Sequence, residues 1–170
     1  STSYTLGGEY QVFLSFRGRD TRRGFANVLY HDLRDAGIHV FVDDEELRPG
    51  ERISGNLLRA IDDSRLYIPI FSPKYASSHW CLRELAKIVE NTSESRREDG
   101  SEKVILPIFY NVEPDDVKLR TQLYNNDILN LEQMMEDQKK KFSSQDVEMW
   151  RQALRRVGGI SGLDSQDYTG

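Results

Sequence analysis

The sequence predicts an α/β fold in which a parallel central sheet carries helices on both faces. Three observations lead there. Segments rich in Ile, Val, Phe and Tyr alternate with segments of helical periodicity in the order β-α-β-α-β-α-β, and that alternation implies right-handed crossovers. Two of the apolar segments, RLYIPIFS (65–72) and KVILPIFY (103–110), are almost continuously apolar, as suits strands buried on both faces. The chain of 170 residues, 38% of them apolar, fits one packed core, since single domains usually hold about 100–200 residues.

The elements follow in chain order. Residues 1–9, opening STSYTLGG, read as a loose polar leader without the charged-then-apolar pattern of a secretory signal. The domain proper spans 10–164, and 165–170 form a tail. The first strand is YQVFLSF (10–16). A helix over 23–37 has Phe25, Leu29 and Leu33 four apart, with Gly37 as its C-terminal cap. IHVFVDD (38–44) is the second strand. A helix over 52–64 presents Ile53, Leu57, Leu58 and Ile61. After the third strand comes a helix over 80–91, with Ser77 or Ser78 as N-cap. The stretch 92–102 is a polar loop. Two helices, 126–141 and 146–157, follow the fourth strand, the second with Val147, Trp150, Leu154 and Val157 at helical spacing. A short piece at Ile160–Leu163 forms a fifth strand. Pro69 and Pro107 cannot donate to a ladder, which predicts a bulge or an edge at each.

Composition excludes several classes. A net charge of -5 argues against general nucleic-acid binding, which needs a clustered basic surface. Cys81 is the only cysteine, so there is no intrachain disulfide, and a reducing, cytoplasmic (or nuclear) setting is expected. No apolar run nears the roughly 18 residues of a membrane span. His31, His39 and His79 are scattered and suggest neither a triad nor a zinc site. No G-x-G-x-x-G follows the first strand, and no G-x-x-x-x-G-K-[ST] occurs. A phosphoacceptor receiver would need acidic residues where this chain has Ser15–Phe16–Arg17 and Ser72–Pro73.

In open parallel sheets ligands bind beyond the carboxyl ends of the strands. Arg17 and Gly18 follow the first strand directly. Glycine there lets the backbone turn sharply, and arginine there could fork onto a phosphate. The same arginine, with Arg19, Arg22 and Arg23, also reads as a solvated charge cluster. Helical steps of 100° over 80–91 place Cys81, Leu82, Leu85, Ala86, Ile88 and Val89 on one face, with Glu84 at its margin, a turn after Trp80. Glu84 is then either a surface acid paired with Lys87 or a carboxylate against an apolar wall beside the crevice. Periodicity leaves both open.

Taken together, YQVFLSFRGRDTR, IHVFVDDEELRPGERISGNLLRAIDDSR, YIPIFSPKYASSHWCLREL and VILPIFYNVEPDDV resemble the successive boxes of a plant Toll/interleukin-1 receptor (TIR) domain. Such domains stand at the N-terminus of intracellular nucleotide-binding, leucine-rich-repeat immune receptors. The resemblance runs from Tyr10 to Leu163. It implies a flavodoxin-like three-layer sandwich of about five parallel strands, self-association with other TIR domains, and cleavage of NAD or NADP as substrate, with no tightly bound cofactor and no metal. The catalytic glutamate of the family's W-C-L-x-E-L box carries over to Glu84. Arg17, Gly18 and Trp80 carry over as substrate-binding residues. Asp43, Asp44, Leu47 and Gly50 belong to the loop that flanks the pocket. A non-enzymatic interaction module is the alternative reading. Three departures bear on assembly. Asn27–Val28 stand where many members have Ser-His, Gln122 replaces a glycine in a second contact, and the family's final helix, expected after Ser161–Asp164, does not follow.

Overall fold

The computed structural model describes residues 10–18, 24–43, 55–93, 102–138 and 142–168. In chain order the described elements are β1 (Val12–Phe16), α1 (Phe25–Asp35), β2 (Val40–Val42), α2 (Gly55–Asp63), β3 (Leu66–Phe71), α3 (His79–Ser93), β4 (Val104–Ile105), β5 (Ile108–Phe109), α4 (Pro114–Val117), α5 (Gln122–Gln138), α6 (Ser144–Gly158) and β6 (Leu163–Asp164). Single 3₁₀ turns occupy Tyr75–Ser77 and Ser165–Tyr168. Asp44, residues 52–54, the loop stretch 94–101 and residues 139–141 lie outside the described residues.

The sheet runs β2-β1-β3-β5-β6, with β4 also on β3, and every described pairing is parallel. Since β4 and β5 share one flank of β3, this is the 2-1-3-4-5 order of a doubly wound, flavodoxin-like fold. Its switch point falls between β1 and β3, where the strand order reverses. Side chains alternate along each strand. Phe13, Phe41, Tyr67, Phe71 and Phe109 therefore enter one core with residues of α2, α3, α5 and α6. Val12, Leu14, Phe16, Ile68, Ile70 and Ile108 enter a second core under α1.

The prolines need a correction. β3 is a central strand, and Pro69 sits within it opposite Ser15 of β1. The pairing of β3 keeps one register from Leu66↔Val104 to Phe71↔Phe109, so no bulge is inserted. The carbonyls of Arg65, Tyr67 and Phe71 accept from Val104, Leu106 and Tyr110, so by alternation Pro69 also faces this flank. Its missing N–H leaves a gap there, which divides the predicted fourth strand into β4 and β5. Pro107 turns its carbonyl to β6, accepting from the Leu163 amide at 3.0 Å. Neither proline forces an edge or a bulge; their cost is an interrupted ladder.

The helices match their periodicity within a few residues, except that α5 begins four residues before 126 and the short α4 was not anticipated. A helix of four residues is too short to show a period. It is set instead by a capping box between Glu113 and Asp116, with Pro114 at its first turn. Gly37 takes φ +85° just after the end of α1, as a C-terminal glycine should. The fifth strand is offset, beginning only at Leu163.

Candidate active site

β1 is buried over its whole length, including the polar Ser15. Ser15 lies two residues after Phe13 and so faces the same layer, that of α3. α3 starts at the switch point. Its N-cap is Ser78, whose hydroxyl accepts from the Cys81 amide at 3.3 Å; Ser77 instead donates to the Lys74 carbonyl at 2.7 Å. This start turns Glu84 toward β1. The Ser15 hydroxyl donates to Glu84 Oε1 at 2.9 Å. Tyr75, on the 3₁₀ turn between β3 and α3, brings its hydroxyl to within 2.7 Å of Ser15 Oγ and donates also to the Cys81 carbonyl at 3.2 Å.

All three side chains are buried: Ser15 and Tyr75 completely, and Glu84 with 3% exposed. The sequence placed Glu84 at the margin of its face, and the structure moves it inside. Periodicity gives a residue's angle around a helix but not the arc its neighbours cover. Here the sheet and the Tyr75 turn cover the margin as well. The alternative pairing with Lys87 is not formed; Lys87 Nζ lies 3.6 Å from Glu90 Oε1.

An ionised carboxylate only accepts. With Glu84 ionised, the one Ser15 proton points at Glu84, so the single Tyr75 proton is shared between Ser15 Oγ, the nearer acceptor, and the Cys81 carbonyl. Burial, followed by the nearby Cys81 and Glu84, pushes the Tyr75 phenol well above its ordinary value of 10.0. Tyr75 therefore stays protonated and keeps its donor.

The other candidates are distributed around this centre. Arg17 and Gly18 are half-buried directly after β1, with the Arg17 Cα within about 7 Å of that of Ser15 by strand rise. Trp80 is 8% exposed. The Arg83 guanidinium stands 5.5 Å over its ring, and His79 lies 4.8 Å away between Trp80 and Phe142. Trp80 is thus engaged by packing between α3 and the α6 layer. Asp43 is half-buried after β2, and Asp44, Leu47 and Gly50 lie outside the described residues. Asn27 and Val28 are exposed on α1, across the sheet from Glu84, with Val28 57% exposed. Gln122 is exposed at the start of α5.

A cavity of about 400 Å³ between α1 and the β1–β2 edge is lined by Phe16, Ala26, Asn27, Tyr30 and Val42, among others. It lies mainly on the α1 side, and Glu84 does not line it. Among the described residues no group of three His, Cys, Asp or Glu side chains could hold a metal, and no helix is long and apolar enough to cross a membrane. Sequence reasoning missed Ser15 and Tyr75 as neighbours of Glu84. The available signal was Ser15 itself, the one polar residue inside VFLSF.

Comparison with known proteins identifies the family and agrees with the fold. The profile of the TIR domain family matches residues 9–170. The chain is 37% identical to the TMV resistance protein N of Nicotiana glutinosa over 99% of its own length and 14% of that protein's. It is 34% identical to the probable 2' cyclic ADP-D-ribose synthase BdTIR of Brachypodium distachyon, over 96% of this chain and 64% of that one. Among solved structures, the TIR domains of the activated Roq1 resistosome, which directly recognizes the pathogen effector XopQ, superpose with a TM-score of 0.74 at 41% identity, covering 94% of this chain and 89% of that chain. The chain thus spans a small part of the resistance protein and about two thirds of the synthase.

Proposed function

The chain belongs to the TIR domain family, and on that premise we propose that it cleaves NAD or NADP at the nicotinamide glycosidic bond, switched on by self-association, as a cytoplasmic signal in plant immunity. The observation that carries this reading is the buried, hydrogen-bonded Glu84 carboxylate at the switch point of the sheet. The synthase name of a relative at 34% identity supports the same chemistry.

The residue types suit the reaction. Nicotinamide departs as a neutral pyridine and needs no acid to protonate it. Breaking its bond develops positive charge on the ribose, and one carboxylate beside the ribose stabilises that charge and binds the sugar hydroxyls. A single glutamate suffices, where an O-glycosidase wants a pair. A carboxylate with 3% of its surface exposed cannot meet a ribose without local rearrangement. This supports a resting monomer that assembly opens.

The competing reading is an interaction module in which the Glu84 network only pins α3 to β1. The complete burial of its partners Ser15 and Tyr75 favours it. Incubating concentrated protein with NAD and following nicotinamide release, with Glu84→Gln as control, separates the two. Release equal to that of the control removes the enzymatic reading.

Two further results are expected. Arg17→Ala raises KM for NAD about tenfold, the worth of one charge-assisted phosphate contact, and leaves kcat within about twofold. Arg17→Lys recovers only part, because lysine lacks the planar fork. An unchanged KM in Arg17→Ala removes the phosphate assignment. For assembly, exposed Asn27, Val28 and Gln122 replace the family's residue types at two contacts. Fitting a glutamine where a glycine allowed close approach commonly costs about 1–3 kcal/mol, and each 1.4 kcal/mol is tenfold in affinity. The chain is therefore expected to be monomeric at micromolar concentration, with turnover per molecule rising toward millimolar. Light scattering and nicotinamide release over the same range test this. A dimer at the dilute end, or constant specific activity, overturns it.

A further inference from the structure

We propose that Ser15 and Tyr75 are positioning residues for Glu84, forming a tyrosine–serine–carboxylate chain that holds the glutamate in the orientation its reaction requires. The inference rests on the reading of Glu84 as the carboxylate that meets the ribose.

The three residues come from three different elements. Ser15 is 60 residues from Tyr75 and 69 from Glu84, so the chain exists only in the folded domain. Each anchor is stiff. Ser15 belongs to β1, paired on one side with β2 and on the other with β3. The Tyr75 ring stands edge-on to Phe71 of β3 at 5.0 Å and is completely buried. Glu84 has three rotatable side-chain bonds, and a hydrogen bond from a fixed strand residue removes most of that freedom.

The residue choice is costly for a purely structural contact. A buried hydroxyl or carboxylate is tolerated only when hydrogen-bonded, and apolar residues of similar volume often pack at least as well. Position 15 lies in a strand whose other members are Val, Phe, Leu and Phe. The raised phenol of Tyr75 keeps its proton on the ring oxygen, so that it remains a donor beside Ser15 Oγ and the Cys81 carbonyl while Ser15 donates to Glu84. Tyr75 acts on Glu84 through Ser15, and neither hydroxyl needs to touch substrate.

The test uses the whole chain as wild type, Ser15→Ala, Tyr75→Phe and the double variant. Misplacing a reacting group by about 1 Å can cost about 100-fold, so kcat of Ser15→Ala is expected to fall roughly 10- to 100-fold with KM within about twofold. Tyr75→Phe, which loses the proton shared between Ser15 and the Cys81 carbonyl and touches Glu84 at neither, is expected to lose about fivefold. The double variant should lose far less than the product of the two single losses, because only the Cys81 carbonyl is left for Tyr75 to act through. A loss in KM with kcat unchanged, or additive losses, overturns the chain.

A second measurement needs no turnover. The side-chain carboxyl ¹³C resonance of Glu84, identified by its absence in Glu84→Gln, is followed in nucleotide-free protein. It should shift in Ser15→Ala and shift less in Tyr75→Phe. A resonance indifferent to both variants overturns the positioning, whatever the turnover. If the resonance shifts but the wild type releases no nicotinamide at any concentration, the enzymatic reading fails and the catalytic purpose of the chain fails with it. Should Ser15→Ala not fold, the isosteric Tyr75→Phe carries both measurements.

Discussion

Glu84→Gln is expected to keep the fold and lose NAD cleavage by at least about 100-fold, the usual loss when a group that stabilises transition-state charge is removed. Glutamine has nearly the same shape and still offers an oxygen to the Ser15 hydroxyl, now 2.9 Å from Oε1. It lacks the negative charge that would oppose the developing oxocarbenium ion. Glu84→Ala is a poorer test. Its position at the margin of the apolar face suggests a harmless truncation, but Glu84 is 3% exposed. Alanine leaves the Ser15 hydroxyl without this acceptor inside the core, at a cost of about 1–3 kcal/mol. At 2–4 °C per kcal/mol for a domain of this size, that lowers Tm by roughly 2–12 °C. The pair of variants therefore separates chemistry from folding. Nicotinamide release by Glu84→Gln above about a tenth of wild type would remove Glu84 from the reaction.

The architecture was legible because its signals are local. The alternation of period-2 and period-3.6 segments names the elements, and nearly continuous apolar strands name a parallel sheet. Gly37 marked the end of α1 for the same reason, since its φ of +85° is a property of one residue. What stayed hidden was set by tertiary neighbours. Pro69 obeys a local rule that places proline at edges, yet β3 is central, and the missing donor is absorbed by a gap in the facing strand. Glu84 has the right angle on α3, but its burial depends on Tyr75 and β1, which no helical wheel contains. Ser15 and Tyr75 meet Glu84 across long sequence separations. The resemblance carried Glu84, Arg17 and Gly18 to one end of β1, and their proximity there is a geometric result; their roles rest on the experiments above.

Gly162→Ala is expected to destabilise the domain by about 3 kcal/mol, at the upper end of ordinary overpacking, and to lower Tm by roughly 6–12 °C. A Cβ at position 162 would lie 2.2 Å from the Pro107 carbonyl oxygen, 2.8 Å from Pro107 Cγ and 3.1 Å from the Phe109 ring. Those neighbours cannot simply yield. The Pro107 oxygen accepts the Leu163 amide at 3.0 Å, the proline ring fixes its own φ, and Phe109 belongs to the core. The easier response is for β6, only two residues long, to leave β5. That breaks the Leu163 hydrogen bond and uncovers Phe109 at the far edge of the sheet from β2. Gly37→Ala is the control. Its Cβ would meet nothing within 4 Å, but its φ of +85° disfavours a side chain, at about 1–2 kcal/mol. Thermal melts and amide exchange read both. In Gly162→Ala the Leu163 amide should exchange much faster than the amides of β1, whereas in Gly37→Ala it should stay protected. A Gly162→Ala protein as stable as Gly37→Ala, with Leu163 still protected, would show that β6 and Pro107 shift together to admit the methyl group.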